Sequence, residues 1–333
     1  MEFYSSNIER TSCVIKRKNI FTPTIPIVLV HGWRSSPDVW SKLIYSLSGA
    51  RLAVNSKTHK WEFASLSLEE SGIFPYSVDD IWIFDYSDYS TEDPKFISQQ
   101  LKSFIEKKRE ETGYDNGKID IICHSMGALV SRYYMEVLTN LSGDKNAKTV
   151  SQWIGICPAN HGAALANLSG IIPLCLKTVI PTFIGFSPSV IEMRTYSEIV
   201  RAINRDPICP GVKYRVVVGY NSDQSFRFKA FSSIFGKTIE VIFDELGNRR
   251  YNLTYFGDGV LSLAQSYLEG AGLDCFGMED HSSAPRSKQV IEIIQKYLQN
   301  PDIPVTVNWP QQKSGKVSFN PNDFLKSMSN KDG

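Results

Sequence analysis

The amino-acid sequence predicts an α/β protein with a mostly parallel central sheet and helices on both of its faces. Short, β-rich apolar runs alternate along the chain with helical patterns, and each run ends in turn or polar residues. The runs are largely apolar, as is typical of strands that are buried on both faces of a sheet. We therefore place strands at 25–32, 81–86, 118–125, 153–159 and 214–220.

Three segments between these runs have helical patterns. Residues 95–113 place apolar side chains at near-helical spacing opposite charged ones and end in a glycine, which predicts an amphipathic crossover helix. Residues 126–140 follow a strand directly and are apolar on several faces, so we expect a buried helix there. Residues 290–298 predict the closing helix.

We expect one domain over residues 1–300, with two insertions at one end of the sheet and a polar C-terminal tail at 301–333. The first insertion, 165–212, is apolar and interrupted by prolines, which indicates a cap or a lid over a site. A fixed pair of helices on the sheet is the alternative. The second insertion, 221–253, contains a predicted hairpin at 237–253.

Composition excludes some classes of partner. Lys and Arg number 36 against 35 Asp and Glu, so the net charge of +1 gives no general attraction for nucleic acid. The N-terminus lacks the apolar core of a secretory signal, so we expect a cytoplasmic protein, although a trimmed secreted form would look the same. The most apolar stretch, 171–186, is interrupted by two prolines and a lysine and predicts no transmembrane helix. The six cysteines form no C-x-x-C pair, and we interpret them as mostly free thiols.

Ser125 is the candidate nucleophile. It follows the apolar run 118–124 and precedes a helix, in the frame Cys-His-Ser-Met-Gly. A serine that attacks a carbonyl must project from a sharp turn, and small residues two before and two after it let strand and helix approach closely. This is the only Ser-x-Gly in the chain, at the junction that the chemistry requires.

The first strand ends in His31-Gly32-Trp33, which we call the oxyanion loop. Gly32 would let the backbone approach a substrate, and the amide of Trp33 could face a developing oxyanion, with the amide of Met126 as the second donor. The alternative is that these residues form the start of a loop and have no role in binding an oxyanion. Trp33 and Trp40 are candidate pocket residues, although aromatic side chains are commonly core.

These motifs resemble a known family. VLVHGW at 28–33, CHSMGALVSRYY at 123–134, and GDGV at 257–260 followed by a histidine are similar to bacterial triacylglycerol lipases and related lipase-like serine esterases of the α/β-hydrolase fold. The resemblance covers residues 25–298 and is vague in the insertions. Cys123 departs from the Gly or Ala of these enzymes, and its side chain is still small.

The resemblance implies Asp258 as the acid and His281 as the base, in the order Ser, Asp, His. Chemistry also favours His281 among the five histidines, because it lies after the last acid candidate and just before the final helix. His161, in a loop after a candidate strand, is the rival and is otherwise interpreted as shaping the pocket. Asp223, which follows the strand 214–220, is the alternative acid; Asp280 is more simply a solvated charge.

Hydrolysis of carboxylic esters with an apolar acyl chain is the expected function, on a small-molecule ester or lipid, with transient contact at a lipid interface. Acyl transfer or deacylation of a lipid-linked glycan would use the same triad, and a non-catalytic scaffold would be expected to have lost one triad member. No cofactor is expected. Some lipases of this group hold calcium with two aspartates, but Ser283 takes the place of the second one, and no His or Cys cluster has zinc spacing.

Overall fold

A parallel sheet of seven strands organises the part of the chain that the structure, a computed structural model, describes: residues 25–64, 74–115, 117–140, 142–167, 187–220, 258, 260–277 and 281–308. In chain order the strands are β1 (Ile27–Val30), β2 (Arg51–Val54), β3 (Trp61–Ala64), β4 (Ile81–Phe84), β5 (Ile119–His124), β6 (Val150–Ile156), β7 (Lys213–Tyr220), β8 (Gly272–Gly277) and β9 (Val307–Asn308). The order across the sheet is β4-β1-β5-β6-β7-β8-β9. The prediction of a mostly parallel sheet is confirmed.

Each of the five predicted strands is present, with bounds that differ by a few residues. Three features of the described residues were missed. An antiparallel hairpin of β2 and β3 lies outside the main sheet, β8 joins the sheet beside β7, and β9 extends it into the segment that the sequence analysis assigned to the tail. The predicted hairpin at 237–253 lies outside the described residues.

The helices of the described residues are α1 (Ser41–Ser48), α2 (Pro94–Thr112), α3 (Gly127–Glu136), α4 (Ala164–Asn167), α5 (Pro188–Glu192), α6 (Glu198–Ile203), α7 (Leu263–Ser266) and α8 (Lys288–Gln299). The amphipathic pattern of α2 buries Ile97, Leu101 and Ile105, one turn apart on one face. Asp93 caps this helix by accepting from the Lys95 amide, and Gly113 ends it with φ 67°, a left-handed conformation that suits glycine. The three predicted helices correspond to α2, α3 and α8.

Two core layers cover the two faces of the sheet, because successive strand side chains point to opposite faces. Val28 and Val30 of β1 pack with residues of α2 and α3 in the first cluster. Ile27 and Leu29 pack with residues of α1 and α8 in the second. Full burial of each such aliphatic side chain is worth about 1.5–3 kcal/mol relative to exposure. Helices therefore lie on both faces, as predicted.

Part of the first insertion packs against the helix that follows Ser125. Arg132 of α3 pairs with Glu136 at 2.9 Å and donates to the carbonyl of Ile203, at the end of α6, at 2.6 Å. Lys95 of α2 reaches Glu198 of α6 at 2.8 Å. These contacts hold the segment 187–204 against α2 and α3. Residues 168–186, where a lid was predicted, lie outside the described residues.

A buried carboxyl group at the start of β5 makes stability depend on pH. Burial raises the pKa of Asp120 from 3.8 to about 7, although its two oxygens accept from the amide and the side chain of Gln152. The folded protein therefore binds this proton more tightly than the unfolded chain does. The stabilisation is complete below about pH 4 and is lost as pH rises toward 7, by up to about 1.4 kcal/mol per pH unit.

We expect Asp120→Asn to raise the free energy of unfolding at pH 8 and to flatten its dependence on pH between 4 and 7. Gln152 can rotate its amide so that Oε1, which has no hydrogen-bond partner among the described residues, accepts from the new Asn side chain. Urea unfolding of both proteins across this range measures the effect. An unchanged slope in the variant would contradict the assignment of the titration to Asp120.

Two further predictions concern the chain as a whole. Cys123, Cys157, Cys209 and Cys275, the cysteines within the described residues, are free thiols, in keeping with the interpretation of most cysteines as unpaired. Within the same ranges, no helix combines the length and the apolar character that a membrane span needs.

Candidate active site

Ser125 lies on a sharp turn between β5 and α3. Its φ is 55°, in the left-handed region that a residue with a side chain rarely adopts. The turn is held by its main chain: the Ser125 amide donates to Ile156 at 3.2 Å, and its carbonyl accepts from Ala128 at 3.0 Å and Ala159 at 3.2 Å. The side chain is partly exposed while the backbone around it is buried. A strained turn of this kind presents a hydroxyl at the carboxyl end of the sheet.

Two glycines allow the close packing around this turn. A Cβ on Gly127 would lie 2.5 Å from the carbonyl oxygen of His31 and 2.6 Å from that of Val30. A Cβ on Gly32 would lie 3.0 Å from Cβ of Ser125 and 3.2 Å from Nδ1 of His124. The end of β1 therefore lies directly against the turn that carries Ser125. Cys123, the departure from the family pattern, is fully buried in the first core cluster.

These distances predict different consequences for two alanine substitutions. Gly127→Ala forces a methyl group into rigid backbone, so we expect the free energy of unfolding to fall by about 3 kcal/mol, near the upper end of the cost of overpacking. Gly32→Ala brings a methyl group to 3.0 Å from Cβ of Ser125 and 3.2 Å from Nδ1 of His124, where shifts of a few tenths of an ångström relieve the contacts, so the loss of stability should be smaller while kcat still falls. Urea unfolding and initial rates measure both, and a larger loss of stability for Gly32→Ala would contradict the account.

His281 lies between Ser125 and Asp258. Its Nε2 is 2.7 Å from Oγ of Ser125, and its Nδ1 is 2.6 Å from Oδ2 of Asp258. A carboxylate oxygen can only accept, so Nδ1 carries the proton and Nε2 is free to accept from the serine hydroxyl. The main chain supports the same arrangement, because the His281 amide donates to the carbonyl of Asp258 at 3.0 Å.

Asp258 is a fully buried carboxylate with defined partners. Its Oδ1 accepts from the amides of Val260 at 2.9 Å and Leu261 at 2.8 Å, which leaves Oδ2 for His281. Burial alone would raise its pKa, but the charge and hydrogen bond of His281 and the two amides together hold the pKa of Asp258 below its usual value. The group therefore stays ionised at neutral pH and keeps His281 in one tautomer.

The structure brings together Ser125, Asp258 and His281, the three residues that the resemblance implied. Within the described residues, neither Ser125 nor Asp258 forms a hydrogen bond with His161, whose amide donates to Gln265 at 2.9 Å in the loop after β6. The alternative acid, Asp223, and the acid next to the base, Asp280, lie outside the described residues.

The proposed oxyanion donors follow Gly32 and Ser125. The amide of Met126, at the start of α3, donates to no other backbone group of the described residues. Trp33 is partly buried against the first core cluster, with the Arg34 guanidinium 4.8 Å above its ring. Trp40, the other candidate pocket residue, is fully buried in the second cluster. The two tryptophans therefore belong to different layers of the core.

His31 fixes the start of the oxyanion loop from inside the core. Its ring stacks on Tyr86 with a centroid separation of 3.9 Å, and its Nε2 accepts from the Tyr86 amide at 3.2 Å. The Tyr86 hydroxyl donates to the carbonyl of His31. This pair connects the end of β1 to the loop after β4. The end of β1 is therefore held by the loop after β4 on one side and lies against the Ser125 turn after β5 on the other.

Two residues of the site were not predicted from the sequence. His124 accompanies Ser125 in the motif, and its Nε2 is 2.8 Å from the carbonyl oxygen of His281. Cys157, with φ 44°, lies beside Asp258. Burial and this neighbouring carboxylate raise the pKa of the Cys157 thiol well above its usual value, so it stays protonated. A positive-φ residue after a strand is a structural signal that the sequence does not show.

Cys157, Asp258 and His281 also form the one cluster of potential metal ligands among the described residues, with ligand atoms within 4.8 Å of one another. The 2.6 Å separation of His281 Nδ1 and Asp258 Oδ2 is a hydrogen-bond distance, shorter than two ligands of one zinc ion would adopt at about 2.0 Å from it. We interpret the cluster as a group of hydrogen-bonded side chains.

Comparisons with solved structures find other proteins with the same fold. Crystal structures with the same fold include the mature lipase BlEst2 of Bacillus licheniformis, 14% identical with a TM-score of 0.53, where the match covers 83% of this chain and 92% of that one. Another is phospholipase PlaB of Legionella pneumophila, 14% identical with a TM-score of 0.54, where the match covers 92% of this chain and 62% of that one. No curated protein sequence matches this chain.

The family model of the class 2 lipases matches residues 24–251, which is more than half of the chain. The match includes Ser125 and ends before Asp258 and His281, so it does not bear on these two residues. The resemblance to lipases of the α/β-hydrolase fold is confirmed. The chain belongs to the class 2 lipase family and is a carboxylic ester hydrolase.

Proposed function

We propose that the protein hydrolyses esters through an acyl-enzyme on Ser125, with His281 as the base and Asp258 as the acid of a catalytic triad. One observation carries the proposal: a continuous relay of hydrogen bonds, 2.7 Å from Ser125 to His281 and 2.6 Å from His281 to Asp258. These distances are within the range in which a general base can take a proton.

In the acylation step, Oγ of Ser125 attacks the ester carbonyl carbon while Nε2 of His281 takes the hydroxyl proton. The carbonyl oxygen becomes an oxyanion, for which the amides of Trp33 and Met126 are the proposed donors. When the tetrahedral intermediate collapses, His281 returns the proton to the leaving alcohol. Asp258 stays ionised and stabilises the imidazolium between the two transfers.

Deacylation repeats the same steps with water. His281 takes a proton from a water molecule, the water oxygen attacks the acyl carbonyl, and the second tetrahedral intermediate releases the carboxylic acid. The proton passes back from His281 to Oγ of Ser125. The enzyme returns to its starting state, and the sum of the two steps is ester and water to alcohol and acid.

The acyl group is proposed to be an apolar chain. Residues 168–186, between α4 and α5, contain few charges and many large aliphatic and aromatic side chains. The described part of this insertion lies on α2 and α3, close in the chain to the helix that follows Ser125. We propose that this apolar segment contributes to the acyl-binding site, favours acyl chains over polar acids and gives a surface for transient contact with lipid.

Hydrolysis of p-nitrophenyl esters with acyl chains from two to sixteen carbons tests both parts of the proposal, with Ser125→Ala as the control. We expect turnover by the wild type, none above background by the variant, and kcat/KM that rises with chain length. Turnover that the variant retains would contradict the role of Ser125. A kcat/KM that is highest for the acetate ester would contradict the apolar acyl site and leave the role of Ser125 unaffected.

A further inference from the structure

We propose that His124 is a positioning residue that holds the catalytic base by its main chain. His124 is the last residue of β5 and directly precedes Ser125. Its Nε2 lies 2.8 Å from the carbonyl oxygen of His281, 157 positions further along the chain. The residue next to the nucleophile therefore bonds to the residue that must deprotonate it. The inference rests on the proposed function, because that proposal makes His281 the base.

The hydrogen bond fixes the protonation state of His124. A carbonyl oxygen can only accept, so Nε2 carries the proton, and Nδ1 is an unprotonated nitrogen with no hydrogen-bond partner among the described residues. Complete burial, together with the nearby His281, lowers the pKa of His124 to about 3. The ring thus remains neutral at working pH.

Neutrality matters because the two imidazole rings are close. Their centroids are 4.8 Å apart. A cation at His124 would oppose the positive charge that His281 gains when it takes the proton of Ser125, and the opposition would be strong in a buried site. A neutral donor avoids this repulsion while it still satisfies the carbonyl of His281.

His281 is held at four points. The His281 amide donates to the carbonyl of Asp258 at 3.0 Å, and Nδ1 bonds to the Asp258 carboxylate. Nε2 faces Ser125, and the carbonyl accepts from His124. The His124 bond is the one of the four that joins the main chain of the base to the strand that carries the nucleophile. Removal of the donor leaves a buried carbonyl unpaired and frees the loop to shift, and a shift of about 1 Å can cost about 100-fold in rate.

The oxyanion loop also depends on this ring. A Cβ on Gly32 would lie 3.2 Å from Nδ1 of His124 and 3.0 Å from Cβ of Ser125. The imidazole therefore lies between Gly32 on one side and the carbonyl of His281 on the other. One side chain contacts the loops that are proposed to supply the base and the oxyanion donor.

Three substitutions separate the hydrogen bond from the packing. His124→Gln keeps an amide nitrogen at the position of Nε2, His124→Asn keeps the same group one methylene short of it, and His124→Leu fills the space without a donor. We expect His124→Gln to keep kcat within about threefold of the wild type, and His124→Asn and His124→Leu to lose about 10- to 100-fold in kcat with little change in KM. Rates are measured on one p-nitrophenyl ester at a temperature where circular dichroism shows each protein folded.

Proton NMR on histidine-labelled protein gives a readout that does not need turnover. The Nδ1 proton of His281, bonded to Asp258, is expected at low field in the wild type and in His124→Gln, and shifted or broadened in His124→Asn. Equal rates in all three variants, or equal losses in His124→Gln and His124→Asn, would overturn the inference. If His124→Leu does not fold, the comparison of Gln with Asn still decides, because these two differ by one methylene.

The NMR comparison also separates this inference from the proposed function. A wild type with no esterase activity and an unperturbed low-field proton in every variant would contradict both proposals. If the wild type has no esterase activity but the low-field proton of His281 still depends on the donor at position 124, only the proposed function would be contradicted. Normal turnover in all variants would leave the triad intact and remove His124 from its positioning role.

Discussion

Replacing Ser125 with alanine is expected to lower kcat for ester hydrolysis by on the order of 10⁵- to 10⁶-fold, with the fold intact. The substitution removes the hydroxyl of the proposed nucleophile, whose Oγ lies 2.7 Å from Nε2 of His281, the proposed base. His281 would then have no hydroxyl to activate. Alanine also relieves no clash and adds none, so stability should change little. Initial rates over background, measured on a p-nitrophenyl ester, give the effect.

The matched control for this substitution is Ser103→Ala. Ser103 is exposed on α2, where its hydroxyl bonds only to the preceding turn of the helix at 3.2 Å. We expect its kcat to match the wild type within about twofold, since surface substitutions away from special features have small effects. If Ser125→Ala keeps more than about 1% of the activity, Ser125 is not the nucleophile.

Asp258→Asn is expected to lower kcat by about 10⁴-fold while the protein stays folded. If the asparagine NH2 group donates to Nδ1 of His281, the proton of the ring moves to Nε2, which can then no longer accept from Ser125. If the asparagine oxygen faces Nδ1 instead, it carries no full negative charge to stabilise the imidazolium. The buried site makes this loss large, because no water can replace the carboxylate. Since the pKa of Asp258 is held below its usual value, the defect should persist throughout the neutral pH range.

Asp223→Asn is the control that separates the two acids which the sequence leaves open. Asp223 follows the strand after which many relatives of this fold place their acid, whereas Asp258 bonds to His281 at 2.6 Å. We expect Asp223→Asn to retain kcat within about threefold. A large loss at Asp223 with a small one at Asp258 would reassign the acid.

The parts of the fold that the sequence predicts are those with uniform patterns. β1 is continuously apolar, β5 and β7 each contain a run of three apolar residues, and α2 combines a cap, an amphipathic face and a terminal glycine. β8 was missed because Asp274 and two glycines interrupt its apolar pattern. The β2 and β3 hairpin was missed because each strand has only four residues and none of them is buried. β9 consists of two exposed residues that pair with β8, a tertiary contact that local pattern does not encode.

The sequence predicts those parts of the site that depend on local pattern, and it does not predict those that depend on contacts between distant residues. The turn at Ser125 is encoded by its own neighbours, including Gly127. The choice of acid required the approach of two loops, which local pattern does not give. The contact of His124 with a carbonyl 157 residues away has no local signature, because a histidine beside a nucleophile can serve many purposes. Sequence thus identifies the reacting groups more readily than the groups that position them.

The most direct test of the central claim is to label the protein with a fluorophosphonate and locate the adduct by mass spectrometry. A fluorophosphonate reacts with a serine that a neighbouring base activates, so it reports the nucleophile without any choice of substrate. We expect one adduct per chain, on the peptide that contains Ser125, and much slower labelling in His281→Ala. An adduct on a different residue, or a wild type that remains unlabelled, would contradict it.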